Sequence, residues 1–223
     1  MSTTRLVDLS HVVEHGMTTY PGLPAPEIGV HLGFEESADH YAPGTEFTIG
    51  RIAMVSNTGT YLDTPGHRHR GGHDLAGLPL ERCADLPAVV VDLPDRVRAF
   101  DAATFGADLP LAGAAVLLRT GWSRHWRTAH YGDADHPFLT EDGARHLAGA
   151  GAALVGIDAV NIDDTRGGER PAHTVLLGAD VPVVEHLTGL AALPARGARF
   201  TAVPPAVVGL CTFPVRAFAV VSG

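Results

Sequence analysis

The chain has 223 residues and a net charge of −9; 45% of its residues are hydrophobic and 18% are charged. Such a composition can bury a large core, and we expect residues 1–223 to form a single domain. The negative charge argues against nucleic acid or an anionic membrane as a partner, because clustered positive charge binds both. All 16 basic residues are arginine, which excludes a lysine nucleophile or Schiff base.

The N-terminal region lacks an apolar signal segment, and no run of about 18 apolar residues occurs, so we expect a cytoplasmic protein. Alternation predicts a first strand at residues 5–10, and a Pro-Gly turn follows at 16–22. A segment rich in β-branched residues predicts a strand at 47–55, which leads into residues 57–67.

Later segments predict further strands and one helix. Continuous apolar runs are typical of strands that are covered on both faces, and they occur at 88–93, 114–118 and 153–158. Thr140 is expected to cap a helix that ends near Ala148, with Gly149 as the stop. A closing pair of strands is predicted at 206–210 and 215–221. Strands mixed with few helices indicate an α/β fold with a mixed sheet.

Residues 57–67 (NTGTYLDTPGH) carry the most information about function. Gly59 permits a turn that other residues resist, and Pro65 stiffens the chain two residues after Asp63. Asp63 and His67, four residues apart in a stiff segment, can point at one metal ion or one polarised carbonyl.

This segment resembles the H-x-G-T-H-x-D-x-P-x-H signature of the cyclase family of metal-dependent hydrolases, which includes bacterial kynurenine formamidase and isatin hydrolase. The resemblance continues through L-R-T-G-W at 118–122, G-I-D at 156–158, and the pair His173 and Glu185, which in the family brackets a strand (here 175–184). It implies a swivelling β/β/α-type fold, a homo-oligomer (dimer or tetramer), and one or two Zn²⁺ or Mn²⁺ ions per site.

The chain departs from the family pattern at two positions, because Asn57 and Tyr61 stand where the family has its first two metal-binding histidines. The ligand set that remains is Asp63, His173 and Glu185. Two carboxylates and one imidazole favour one Mn²⁺ or another oxygen-preferring ion over Zn²⁺. A metal-free site is equally consistent with the two replacements.

The resemblance implies a hydrolase that opens an amide, lactam or lactone bond in a small, aromatic substrate. His67 falls on the position of the family's catalytic histidine and is expected to act as general base and then acid. Asn57 and Tyr61 would donate hydrogen bonds to the developing oxyanion. Trp122 and Tyr20 would form the apolar wall of a substrate pocket.

Each candidate has a structural alternative. Asp63 could form an Asx turn before Pro65, His67 could be a surface histidine, and Trp122 could belong to the core. His69 and His73 are expected to be exposed loop histidines. Cys83 and Cys211 are expected to be separate buried thiols.

Two other functions stay open. One is a metal-independent cyclase or dehydratase that acts on a polyketide-like carbonyl compound, with His67 or Glu185 as base and Tyr61 as oxyanion donor. The other is a non-catalytic member of the fold that binds a small molecule or a partner.

Overall fold

The computed structural model describes residues 4–93, 97–106 and 108–222. Within these ranges lie thirteen strands and three α-helices. In chain order they are β1 Thr4–Asp8, β2 Glu27–Leu32, α1 Phe34–Ala38, β3 Ile49–Ala53, β4 Tyr61–Asp63, β5 Leu86–Asp92, β6 Ala99–Phe100, β7 Ala115–Arg119, β8 Phe138–Leu139, α2 Glu141–Gly149, β9 Leu154–Ile157, α3 Pro171–Gly178, β10 Val183–Glu185, β11 Arg196–Thr201, β12 Thr212–Pro214 and β13 Phe218–Ser222.

Nine strands form one sheet in the order β1-β13-β11-β5-β7-β9-β10-β4-β12. The four central strands β5, β7, β9 and β10 are parallel, and the strands on either side of them pair antiparallel. This arrangement confirms the α/β fold with a mixed sheet that the sequence predicts.

The central strands are buried on both faces. Val116 and Leu118 of β7 pack in one apolar cluster together with Leu147 of α2 and Leu176 of α3. Leu117, which points to the opposite face, belongs to a second cluster. A strand that is covered on both faces requires apolar residues on both faces. The continuous apolar runs therefore predicted the buried strands β5, β7 and β9.

The predicted helix is confirmed, since α2 spans Glu141–Gly149 and the Thr140 hydroxyl accepts a hydrogen bond from the backbone N–H of Gly143.

The predicted strand at 206–210 is wrong. This segment follows Pro204 and Pro205, contains Gly209 at φ 83°, and forms a turn between β11 and β12. The closing strands are β12 and β13.

The strand predicted at 175–184 is also wrong over most of its length. Its first residues belong to α3, which begins at Pro171, and only the end forms strand β10. A continuous apolar run does not distinguish a buried helix from a buried strand. Pro171 at the first helical position favours the helix, because its fixed φ suits a helix start.

Strands β2 and β3 form a separate two-stranded ribbon outside the main sheet. The strand expected at 47–55 is therefore shorter, Ile49–Ala53, and every one of its residues is exposed. The chain then returns to the main sheet at β4, which carries the candidate site.

Candidate active site

Strand β4 places the signature residues in the main sheet between β10 and β12. Tyr61 and Asp63 alternate with Leu62 and therefore share one face. Glu185, the last residue of β10, pairs directly opposite Tyr61, and Thr212 of β12 pairs opposite Asp63. The register thus gathers side chains from three distant parts of the chain.

The turn before β4 depends on Gly59, which has a φ of 66°. A Cβ at this position would lie 2.9 Å from Cγ2 of Val13, so a larger residue would be both strained and crowded. The next residue, Thr60, fixes the turn because its hydroxyl donates to the His186 carbonyl at 2.6 Å. Gly59 is therefore required for close packing as well as for its backbone angle.

Three buried carboxylates surround the imidazole of His173. The Nδ1 atom of His173 donates to Asp163 at 2.6 Å, and its Nε2 atom lies 3.5 Å from Glu185 Oε1 and 3.7 Å from Asp63 Oδ2. All four residues are buried, with at most 5% of their surface exposed. In the part of the chain that the structure describes, none of the three carboxylates pairs with an arginine.

Asp163 holds His173 in place. Its two carboxylate oxygens accept the backbone N–H groups of Ala172 and His173 in the first turn of α3, and one of them also accepts His173 Nδ1–H. The negative charge lies at the helix N-terminus, where the helix dipole stabilises it. This contact directs Nε2 of His173 toward Asp63 and Glu185.

The charges shift the pKa values of the group in a consistent direction. Burial alone would lower the pKa of His173, but Glu185, Asp163 and Asp63 outweigh it and raise the pKa to about 10. Burial raises the pKa of Glu185 to about 7, and the nearby Asp63 acts in the same direction, against the opposing effect of His173. The excess of negative charge in the cluster therefore stabilises the protonated forms of His173 and Glu185.

The same excess of negative charge fits a divalent cation. Three carboxylates and one neutral imidazole have a net charge of −3, which a divalent ion that replaces the second His173 proton would reduce to −1. Oδ2 of Asp63 is buried and has no hydrogen-bond partner among the described atoms. One ligand atom each from Asp63, His67 and His173 lie within 4.8 Å of one another. Glu185 lies beside this trio, and its oxygens already accept from Tyr61 and Ile162 N–H.

This charge balance predicts a pH dependence of stability. Because folding raises the pKa of His173 from 6.5 to about 10, its contribution is complete below 6.5 and is lost as the pH rises through about 10. The raised pKa of Glu185 acts in the same direction between 4.5 and about 7. We expect the melting temperature of the metal-free protein to fall as the pH rises from 4.5 to about 10. The melting temperature of the metal-saturated protein should fall less. Equal pH profiles for the two forms, measured by calorimetry, would contradict a shared site for proton and metal.

His67 lies at the edge of the charged cluster, with 35% of its side chain exposed. Its Nδ1 atom is 2.9 Å from the hydroxyl of Thr212, which also donates to Asp63 Oδ1 at 2.5 Å. The surface alternative for His67 accounts for its exposure but not for these contacts. His67 is thus joined to Asp63 through one hydroxyl.

Tyr61 is 2% exposed, and its hydroxyl donates to Glu185 Oε2 at 2.6 Å. Burial, followed by the charge of Glu185, raises its pKa well above the ordinary range, so Tyr61 is a neutral donor. Its single proton is engaged by Glu185, and it cannot serve a substrate oxyanion while this bond persists. The side chain of Asn57 acts against these effects on the pKa of Tyr61, and Asn57 also lines the cavity.

A cavity of about 310 Å³ opens above the cluster. Its lining includes six of the residues that the sequence singled out, namely Tyr20, Asn57, Tyr61, His67, His173 and Glu185. Arg68 and Arg170 also line it. A larger cavity of about 440 Å³ is lined by residues 14–19, Pro21, 127–129, Tyr131 and Gly132, and by none of the six.

The structure does not bring Trp122 to this cavity. The indole ring is 7% exposed, packs in the apolar cluster of α2 and α3, and donates from Nε1 to the Tyr131 carbonyl at 2.9 Å. The core alternative therefore describes Trp122, and its expected role in a substrate wall is corrected. A tryptophan after a strand end was ambiguous because both a pocket and a core accept a large ring.

Two loop histidines also differ from expectation. His69 and His73 are partly buried rather than exposed, and they bond to the Thr174 carbonyl and to Asp180. Cys83 is buried, as expected, whereas Cys211 is only partly buried; both are free thiols.

Sequence reasoning missed Asp163, Thr212 and Arg170. Asp163 has no local capping signal, because the N-cap position of α3 is occupied by Arg170 and Asp163 reaches the helix start only through the fold. Thr212 has no local signal, because it reaches the site only through the pairing of β12 with β4.

Comparisons with known proteins point to one family. Residues 7–164, well over half of the chain, match the family described as "Putative cyclase". The chain is 28% identical over 220 residues to a kynurenine formamidase of Salinibacter ruber, and the match covers 95% of both chains. It is 29% identical over 166 residues to cyclase-like protein 1 of Oryza sativa subsp. japonica, and this match covers 71% of the chain and 58% of the relative.

Solved structures give the same result. Isatin hydrolase A from Labrenzia aggregata superposes with a TM-score of 0.80 at 26% identity, covering 99% of this chain and 94% of the other. A potential metal-dependent hydrolase with cyclase activity superposes with a TM-score of 0.78 at 26% identity and 98% coverage of both chains. On the family match and the shared fold, the chain belongs to the cyclase family.

Proposed function

We propose that this protein is a metal-dependent hydrolase that cleaves the C–N bond of an amide or lactam in a small aromatic substrate. The observation that carries the proposal is the cluster of three buried carboxylates around His173, with an unpartnered Asp63 oxygen, at the base of a cavity that His67 lines. The similar kynurenine formamidase and isatin hydrolase support an aromatic substrate with a C–N bond.

Asp63 and His173 would hold the metal, with Glu185 completing the set. A divalent ion supplies positive charge that polarises an amide carbonyl and makes a water molecule acidic near neutral pH. Mn²⁺ or Zn²⁺ would serve, and the carboxylates favour the harder ion.

His67 is the acid–base residue in this proposal. Its imidazole accepts a proton from the attacking water and then gives it to the leaving nitrogen, so water adds across the C–N bond to yield a carboxylate and an amine. Tyr61 keeps Glu185 oriented through its hydrogen bond, and Asn57 presents an amide to the cavity. Tyr20, half-buried in the cavity wall, supplies a face for an aromatic ring.

The mouth of the cavity favours a substrate with an acidic group. Arg68 bonds to the Thr174 hydroxyl and Arg170 bonds to backbone carbonyls, and neither guanidinium forms an ion pair within the described ranges. These two guanidinium groups in the cavity wall can bind an acidic group of the substrate.

We expect the protein to hydrolyse members of a panel of formanilides, isatin-type lactams and aromatic lactones. This activity should be lost on dialysis against a chelator and restored by Mn²⁺ or Zn²⁺.

Metal analysis should give about one divalent ion per chain. Asp63→Asn should lose this ion. Asp133→Asn should keep it, and is a matched control because Asp133 belongs to an exposed cluster with His130 and Asp135. Full activity after chelation would overturn the metal requirement and favour the metal-independent cyclase.

We also propose that the protein is a homo-oligomer that covers the ribbon of β2 and β3 with a second copy. One face of the ribbon carries Ile28, Val30 and Ile52, which are 40%, 67% and 51% exposed, and Ile28 pairs with Ile52. The other face carries the polar residues Glu27, His31 and Arg51, and an isolated hairpin is marginally stable in water. Light scattering should give a multiple of the chain mass that Ile52→Asp reduces and His31→Asp, on the polar face, does not. An unchanged mass for Ile52→Asp would contradict this interface.

Among the described residues, no helix has the length and apolar character needed to cross a bilayer.

A further inference from the structure

Thr212 occupies a central position between two residues of the proposed mechanism. It is 2% exposed and lies in β12 directly opposite Asp63. Its hydroxyl oxygen is 2.5 Å from Asp63 Oδ1 and 2.9 Å from His67 Nδ1. Both distances are within hydrogen-bonding range, so one hydroxyl joins the two side chains.

The hydrogens on these three groups can be assigned. A hydroxyl has one proton to donate and lone pairs to accept, whereas an ionised carboxylate can only accept. Thr212 must therefore donate to Asp63, because the opposite arrangement would bring lone pairs face to face at 2.5 Å. The hydroxyl then accepts from His67, which requires a proton on His67 Nδ1. In the neutral imidazole, the second ring nitrogen, Nε2, then carries no proton.

We propose that Thr212 is a positioning residue that holds His67 in the Nδ1-protonated tautomer, with Nε2 free to accept a proton in the cavity. The catalytic role of Thr212 rests on the proposed function. The tautomer of His67 does not depend on that function. His67 has 35% of its side chain exposed, and within the described residues the Thr212 hydroxyl is the hydrogen-bond partner that orients its ring. The carboxylate of Asp63 polarises the hydroxyl and strengthens its bond to the imidazole.

The test compares Thr212→Val, which keeps the shape and removes the hydroxyl, with Thr212→Ser, which keeps the hydroxyl. Thr201→Val is the matched control, because this strand threonine bonds to the Asp85 N–H away from the site. Nitrogen-15 NMR of labelled histidine, recorded on the alkaline plateau of the titration, reports the tautomer of His67. The His67→Gln variant assigns its signals. Spectra are taken of the metal-free and the Zn²⁺-loaded protein.

The wild type, Thr212→Ser and Thr201→Val should show His67 protonated on Nδ1, and Thr212→Val should show a mixture of tautomers. In the hydrolysis assay, Thr212→Val should lower kcat by about 100-fold with KM changed by less than about 2-fold, and Thr212→Ser should recover most of kcat. Metal content should be equal in all variants.

An Nε2-protonated His67 in the wild type, or an unchanged tautomer in Thr212→Val, would overturn the proposal whatever the activity. If the protein hydrolyses none of the panel but the tautomer follows the Thr212 hydroxyl, the proposed function has failed and the positioning role stands. If kcat falls equally in Thr212→Val and Thr212→Ser, Thr212 serves packing alone.

Discussion

The His67→Gln variant should lose hydrolytic activity by about 1000-fold in kcat while it keeps its full metal content. A positioned acid–base group contributes about 10²–10⁴ to a rate, and glutamine cannot exchange a proton near neutral pH. The Nδ1 atom of His67 is engaged by Thr212, and His67 lines the cavity, which leaves Nε2 as the ring nitrogen available to exchange a proton. The measurements are steady-state kinetics and elemental analysis of the same preparation.

The matched control is His69→Gln, two residues along the same loop. His69 bonds to the Thr174 carbonyl and does not line the site cavity, so its replacement should leave kcat within about 3-fold of wild type. Loss of the metal from His67→Gln would contradict the acid–base role. It would instead identify His67 as a ligand beside Asp63 and His173, which the distances in that trio also permit.

The Asp163→Asn variant should weaken metal binding by about 10- to 100-fold, and should destabilise the metal-free protein by about 3 kcal/mol. The carboxylate accepts two backbone N–H groups of α3 and the Nδ1–H of His173, and it is fully buried. An amide keeps only one acceptor oxygen, so at least one of these donors would face an NH₂ group. Competition with a fluorescent chelator measures the affinity, and urea denaturation measures the stability.

Asp164→Asn is the control for this variant because it changes the neighbouring residue in the same way. Asp164 is 34% exposed and pairs with Arg98, so its replacement should cost less than about 1 kcal/mol and leave metal affinity unchanged. If Asp163→Asn binds metal as tightly as wild type, Asp163 only caps the helix, and the orientation of His173 has another cause.

The sequence predicted elements with a strong local signal and missed those that depend on distant pairing. Thr140 and Gly149 mark a helix by local chemistry, and the runs at β5, β7 and β9 are recognisable because both faces of these strands are covered. Residues 175–178 are equally apolar but helical, since Pro171 favours a helix start and Asp163 accepts backbone N–H groups of the first turn. Residues 206–210 contain strand-forming valines, but the preceding prolines and Gly209 impose a turn.

The site shows the same division. Asp63, His173 and Glu185 were predicted from a resemblance, and the structure places their side chains together. Their roles as ligands remain predictions, as do the single-domain organisation and the cytoplasmic location. Trp122 was misplaced because a large ring suits both a core and a pocket. Thr212 was missed because a strand register determines which residue faces Asp63, and no short motif encodes a register.

Strand β4 is only three residues long, yet its side chains reach partners far away along the chain. Tyr61 and Glu185 are 124 positions apart, and Asp63 and Thr212 are 149 apart. A peptide with the sequence of residues 57–67 would therefore contain the recognisable motif and almost none of the binding chemistry. During folding, these long loops must close before the carboxylates meet, and contacts of such separation form slowly. Capture of a divalent cation would then report that the whole chain, from β4 to the C-terminal strands, has reached its native arrangement.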